Sequence, residues 1–166
     1  MKVLLAVPVL GSLLIFQSAV VSQFPLLHGT ADLVLIAIGA WAIQKNVESA
    51  WQWGIIGGLM IGFVSEIPLV VPLGSYLLTI GLAVALRQRV WQIPILAVLV
   101  ATFFGTITVN LATFVALRIG GTPLPVLESL NLIVLPSLIL NLLLSVPFYI
   151  LLGDLAKWLY PDELEM

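Results

Sequence analysis

The sequence predicts an all-α membrane protein: a six-transmembrane-helix bundle with both termini cytoplasmic. Three observations carry this reading. First, 61% of the 166 residues are apolar and only 8% are charged, against about 25% charged in a soluble domain. Second, six apolar stretches divide the chain, and runs such as Ile95–Ala101 do not alternate as strands of a closed barrel would. Third, five of the six Lys/Arg residues and all five Trp fall at the same alternate gaps between those stretches.

The spans read as roughly Val3–Ser22, Ala31–Gln44, Trp51–Ser65, Leu73–Leu86, Pro94–Leu117 and Leu132–Leu152. A full crossing takes about 20 residues. The second, third and fourth fall short of that, so they extend into their flanks or sit where the bilayer thins. The first approaches 20 apolar residues, longer than the core of a signal peptide, and is expected to be retained. With the N-terminus inside, Lys2, Lys45, Arg87, Arg89 and Lys157 lie on the inner side and Arg118 alone on the outer, a clear positive-inside bias. Trp41, Trp51, Trp53, Trp91 and Trp158 gather at the same inner ends, where indole suits the headgroup layer.

Loop chemistry fits this order. Phe24-Pro25 and Gly29-Thr30 mark the first outer turn, and Pro68 with Pro72 the second. Gly120-Gly121-Thr122-Pro123-Leu124-Pro125 opens the third. The only charged tract is the acidic end Asp162-Glu163-Leu164-Glu165. A single integral membrane domain over residues 1–166 is expected, with no appended soluble domain.

Composition also excludes functions. A net charge of −2 gives no footprint for nucleic acid, and the absence of Cys removes disulfides, thiolate chemistry and Cys-based metal sites. His28 is the only histidine, and one His without other ligands is a poor metal site. It precedes Asp32 by four residues, which would suit a His–carboxylate contact if the second helix began that early. No Ser-His-Asp set, carboxylate dyad or phosphate-binding glycine loop is present, so neither an enzyme nor a cofactor or metal is expected.

Three constellations remain. Gly54, Gly58 and Gly62 are spaced by four on the third span; glycines at that spacing let another helix approach closely, either within the bundle or from a partner. Asp32, Glu66 and Arg118 form an outer ionic set, in which Arg118 either pairs with a carboxylate beneath the outer loops or all three sit in solvated headgroups. Asp32 also opens the second helix, where a carboxylate satisfies free amides. Finally, Thr102, Thr106, Asn110 and Thr113 share one face of the fifth span, and Ser137, Asn141 and Ser145 one face of the sixth. Thr102 and Asn141 are expected at comparable depth, where the stripes hydrogen-bond each other or line a polar pocket. Pro136 and Pro147 bracket the second stripe and should free carbonyls for neighbours.

The segment Gly58-Leu-Met-Ile-Gly62-Phe-Val-Ser-Glu66-Ile-Pro-Leu-Val-Val-Pro72-Leu73-Gly74 resembles the rod shape-determining MreD family. That family has a glycine-spaced third helix, an acidic residue at its end and a Pro-Leu-Gly opening the next helix. Asp32-Leu33-Val34-Leu35 is similar to the family's opening of the second span, with Ala31 in place of Pro. Leu135-Pro136-Ser137-Leu138-Ile139-Leu140-Asn141-Leu142-Leu143 looks like its closing helix. Glu66 stands where the family usually has Asp, Val70-Val71 replace Ser-Gly, and the basic C-terminal end is reduced to Lys157.

The resemblance implies a fold similar to the substrate-binding subunits of energy-coupling-factor transporters. It also implies a non-catalytic role in bacterial cell elongation, in the plasma membrane. The implied partners are MreC, through its transmembrane helix, then MreB, RodA and its transpeptidase partner, with membrane lipid around them. On this reading the face carrying Gly54, Gly58 and Gly62 receives the MreC helix, and Pro72 and Gly74 form the family-motif turn. The rival reading is the vitamin-binding subunit of such a transporter, although the first span offers only Ser18/Ser22 where those subunits carry an Ala-x-x-x-Ala motif.

Overall fold

A computed structural model describes residues 3–89, 92–122 and 125–160. Lys2, Trp91, Pro123, Leu124 and the acidic end 162–165 lie outside the described residues. The helices are α1 (Ala6–Ala19), α2 (Leu33–Ile43), α3 (Ala50–Val64), α4 (Val70–Arg89), α5 (Pro94–Ile119), α6 (Val126–Ser129) and α7 (Leu135–Leu159). A 3-10 turn, Val21–Gln23, extends α1, and a π turn, Leu130–Val134, joins α6 to α7.

Four stretches are long and apolar enough to cross a bilayer: Ala6–Gln23, Val70–Arg89, Pro94–Ile119 and Val126–Leu159. The chain is a multi-span helical membrane protein. The fourth span, expected to be short, runs to 20 residues. Pro72 falls in its first turn, where an amide would have no helical partner in any case. The second and third stay short, at 11 and 15 residues.

Burial explains how α2 can be short. At about 1.5 Å per residue it is only about 16 Å long, half the hydrocarbon thickness of about 30 Å. Its sequence, Leu-Val-Leu-Ile-Ala-Ile-Gly-Ala-Trp-Ala-Ile, is apolar on every face, the signature of a helix enclosed by others. Every one of its residues is buried, and it packs against α1, α3, α4, α5 and α7. Its ends meet protein rather than lipid, so irregular backbone at membrane depth can be satisfied there.

The glycine face of α3 is covered by the chain itself. A Cβ on Gly58 would stand 2.8 Å from Leu73 Cα, one on Gly62 would stand 3.2 Å from Leu69 Cα, and one on Gly54 would collide with Ile80. All three neighbours belong to α4 or its entry, so the surface expected to receive a partner helix is occupied by α4. Gly105 plays the same part between α5 and α4, where a Cβ would meet Thr79 Cγ2 at 2.7 Å. Gly74 differs: an added Cβ there meets nothing within 4 Å.

The Trp residues divide into two kinds. Trp51 and Trp158 are exposed, as a headgroup role requires. Trp41 and Trp53 are fully buried and stack at 4.3 Å, so these two are core residues rather than interfacial anchors. Near them Arg87 reaches from α4 and donates from Nη1 to the carbonyls of Gln44 (2.9 Å) and Val47 (2.8 Å). These carbonyls follow the C-terminus of α2, where a cation also suits the helix dipole.

Candidate functional site: a polar knot at the head of α2

The first amides of α2 have no helical acceptors and lie inside the bundle, so side chains must supply them. Four helices do so. Asp32, the N-cap, accepts from Leu35 N at 3.0 Å. Gln17 of α1 accepts from Leu33 N at 2.7 Å through Oε1. The amide of Asp32 itself donates to Asn141 Oδ1 of α7 at 2.8 Å. Asn141 Nδ2 in turn donates to Thr106 Oγ1 of α5 at 2.9 Å. Tyr76 of α4 closes the set, its hydroxyl lying 2.8 Å from each carboxylate oxygen of Asp32.

The loop before α2 is held against α7. Pro136 has no N–H, which leaves the carbonyl of Leu132, four residues earlier, without its α-helical donor. The amide of His28 donates to that carbonyl at 3.0 Å. Gly29 lies so close to α7 that a Cβ would stand 2.6 Å from Ile133 O and Ser137 N. The turn that brings it there places Leu27 at φ 58°, a left-handed conformation that favours glycine. Pro136 therefore frees a carbonyl for a neighbour, as the sequence suggests, and the π turn beside it accommodates the joint.

A cavity of about 180 Å³ opens beside the knot, lined among others by Gln17, His28, Asp32, Asn110, Ser137 and Asn141. Asn110 Nδ2 is bonded to Thr106 O. Its Oδ1, the Ser137 hydroxyl and the His28 ring have no bonds among the described residues, and suit a small polar group. The cavity faces the end of the bundle opposite Lys45, Arg87 and Lys157.

The sequence-derived residues divide accordingly. Asp32, Thr106, Asn110, Ser137 and Asn141 converge at this site. Asn141 bonds Thr106 rather than Thr102, which lies one turn deeper and whose buried hydroxyl has no partner among the described residues. Ser145 turns back to the carbonyl of Leu142, and Thr113 lines an apolar groove between α5 and the π turn. Because α2 begins at Leu33, His28 lies in the loop and not on the helix with Asp32.

The outer ionic set does not assemble. Glu66 and Arg118 are exposed, neither makes an ion pair among the described residues, and Arg118 instead stands over the Phe114 ring at 5.7 Å. Sequence reasoning missed Tyr76 and Gln17. Each carries a readable signal, since the amide of Gln17 and the hydroxyl of Tyr76 fall within apolar spans and need a partner there. Comparison of the chain with family models, with curated proteins and with solved structures found no significant match.

Proposed function

We propose that this chain is a non-catalytic membrane scaffold of the bacterial cell-elongation machinery, similar in role to MreD, with both termini in the cytoplasm. One observation carries the reading. The two separated stretches that most resemble the family, the Asp32 opening of α2 and the Asn141 helix, are tied directly to each other by the 2.8 Å bond from Asp32 N to Asn141 Oδ1. The third resembling stretch, residues 58–74, forms the close α3–α4 contact through Gly58 and Gly62. Residues alike in type and order that also interlock are expected where a family shares a packing solution.

The MreC helix then needs a face other than the glycine one. We assign it to α1, the least covered of the four long helices, on which only Ala6 and Leu10 are buried. MreB, RodA and its transpeptidase partner would be reached through that complex. Depleting the chain in its own bacterium should convert rods to spheres, and MreC should crosslink to a photoreactive residue at Ile15 or Phe16, both exposed. Rods that persist after depletion would rule the proposal out.

The polar cavity beside Asp32 favours a second reading, a substrate-binding subunit of an energy-coupling-factor vitamin transporter. A vitamin retained stoichiometrically through purification, together with unchanged cell shape, would select it.

A further inference from the structure

The opposite end of the bundle carries a larger cavity, about 370 Å³, and its lining is cationic. Lys45 follows α2, Arg87 comes from α4 and Lys157 from α7, so three elements bring positive charge to one hollow. Among the described residues no carboxylate lines it. Of the acids near it among the described residues, Asp154 pairs with Lys157 at 3.4 Å on an exposed surface, and Glu48 borders a neighbouring hollow that shares Lys45 and Arg87.

Its construction is specific. Arg87 is half-buried and uses Nη1 for the carbonyls of Gln44 and Val47. That fixes the guanidinium and leaves Nη2 and Nε without partners among the described residues. The Gln44 side chain forms part of the wall, anchored by its bond to Tyr149 O at 3.0 Å. Gly153 makes room for it, since a Cβ there would press on Gln44 Nε2 at 3.3 Å. Pro94 and Ala97 at the start of α5 complete the rim. Just outside, Ile95, Leu96, Ile150 and Leu151 are exposed and apolar, and Trp158 is 75% exposed beside Lys157. Charge within, an apolar flank and an indole at the edge complement the phosphate, the acyl chains and the headgroup layer of a phospholipid.

We propose that this cavity binds the phosphate of an anionic phospholipid headgroup, with Lys45, Arg87 and Lys157 around the phosphate and the acyl chains along α5 and α7. Arginine with a fixed plane suits a phosphate oxygen pair, and the two flexible lysines add charge. The site is independent of the polar knot at the head of α2 and of the elongation role.

The test uses the purified full chain in nanodiscs of phosphatidylglycerol or phosphatidylcholine, read by thermal unfolding and by native mass spectrometry for retained lipid. Wild type should unfold at higher temperature in phosphatidylglycerol and retain one such lipid. Lys45→Gln/Lys157→Gln should reduce retention about tenfold or more and remove most of the temperature difference. Lys45→Arg/Lys157→Arg should keep both, and Arg89→Gln/Arg118→Gln, with the same charge loss, should behave as wild type. Equal unfolding of wild type in the two lipids, or equal losses in the two Gln pairs, overturns the proposal. Stabilisation by inorganic phosphate in phosphatidylcholine, without a phosphatidylglycerol effect, would overturn the lipid source and assign the cavity to a soluble phosphate.

Discussion

Asn141 on α7 and Asp32 at the head of α2 lie 109 residues apart in sequence, and one hydrogen bond of 2.8 Å joins them. The same Asn141 side chain donates to Thr106 on α5, so a single amide links three helices. Asn141→Ala would leave the Asp32 amide and the Thr106 hydroxyl unpaired, at a cost of about 1–3 kcal/mol for each buried group left unsatisfied. Thermal unfolding in detergent should show a clear loss. An Asn141→Ala/Thr106→Val cycle should return a coupling of about 0.6–2 kcal/mol, the range for polar contacts between membrane helices.

Tyr76→Phe removes the one hydroxyl that holds both oxygens of Asp32. A hydrogen bond to a carboxylate contributes about 1.5–3 kcal/mol, and the variant should lose a comparable amount. Asp32→Asn keeps an oxygen for Leu35 N and for Tyr76, so it should be milder than Asp32→Ala, which loses the cap as well. Unfolding midpoints of the three proteins, in the order Asn above Phe above Ala, would support the arrangement; an Asn variant as unstable as Ala would refute it.

Gly58 and Gly74 make opposite predictions from similar sequence surroundings. At Gly58 an alanine Cβ would stand 2.8 Å from Leu73 Cα, a backbone atom that cannot move alone, so α3 and α4 must separate. Overpacking of this kind costs about 1–3 kcal/mol. At Gly74 nothing lies within 4 Å, and replacing a helical glycine by alanine should stabilise by about 0.5–1 kcal/mol. Parallel unfolding curves of the two single variants decide the matter.

Much of this fold is legible from hydropathy alone, because lipid forces long apolar helices and their order follows. The head of α2 is legible in part. Asp32 reads as a cap, and the stripes of α5 and α7 read from their spacing of three and four. Their partners do not, since the choice between Thr102 and Thr106 for Asn141 turns on a one-turn offset that periodicity leaves open. The glycines of α3 announce close approach without naming the neighbour, and α4 proves to be the nearest helix available. Trp41 and Trp53 mislead because a buried indole and a headgroup indole have the same place in the sequence, near the end of a span.

The sequence leaves open whether Arg118 pairs with Glu66, and in the structure the two do not form an ion pair. Both are exposed with no ion pair among the described residues. Glu66→Ala and Arg118→Ala should each change stability by no more than about 0.5 kcal/mol. The double variant should equal their sum within about 0.3–0.5 kcal/mol, as for independent sites. A coupling above 1 kcal/mol, a figure of the order seen for partners in contact, would restore the outer ion pair.

Arg87 and Arg89 occupy the same last turn of α4, yet only Arg87 turns inward to the carbonyls of Gln44 and Val47. Those carbonyls follow the last residue of the buried α2 and belong to Gln44 and Val47, which are themselves buried. Arg87→Ala should therefore cost about 2–4 kcal/mol, for two charge-assisted hydrogen bonds each contributing about 1.5–3 kcal/mol, less the side-chain entropy that ordering Arg87 gives up. Arg87→Lys should recover part of this, because one ammonium can reach a carbonyl but lacks the fixed fork. Arg89→Ala should change stability by less than about 0.5 kcal/mol, as surface substitutions do. Equal effects at the two arginines would mean that the loop after α2 is held by something other than Arg87.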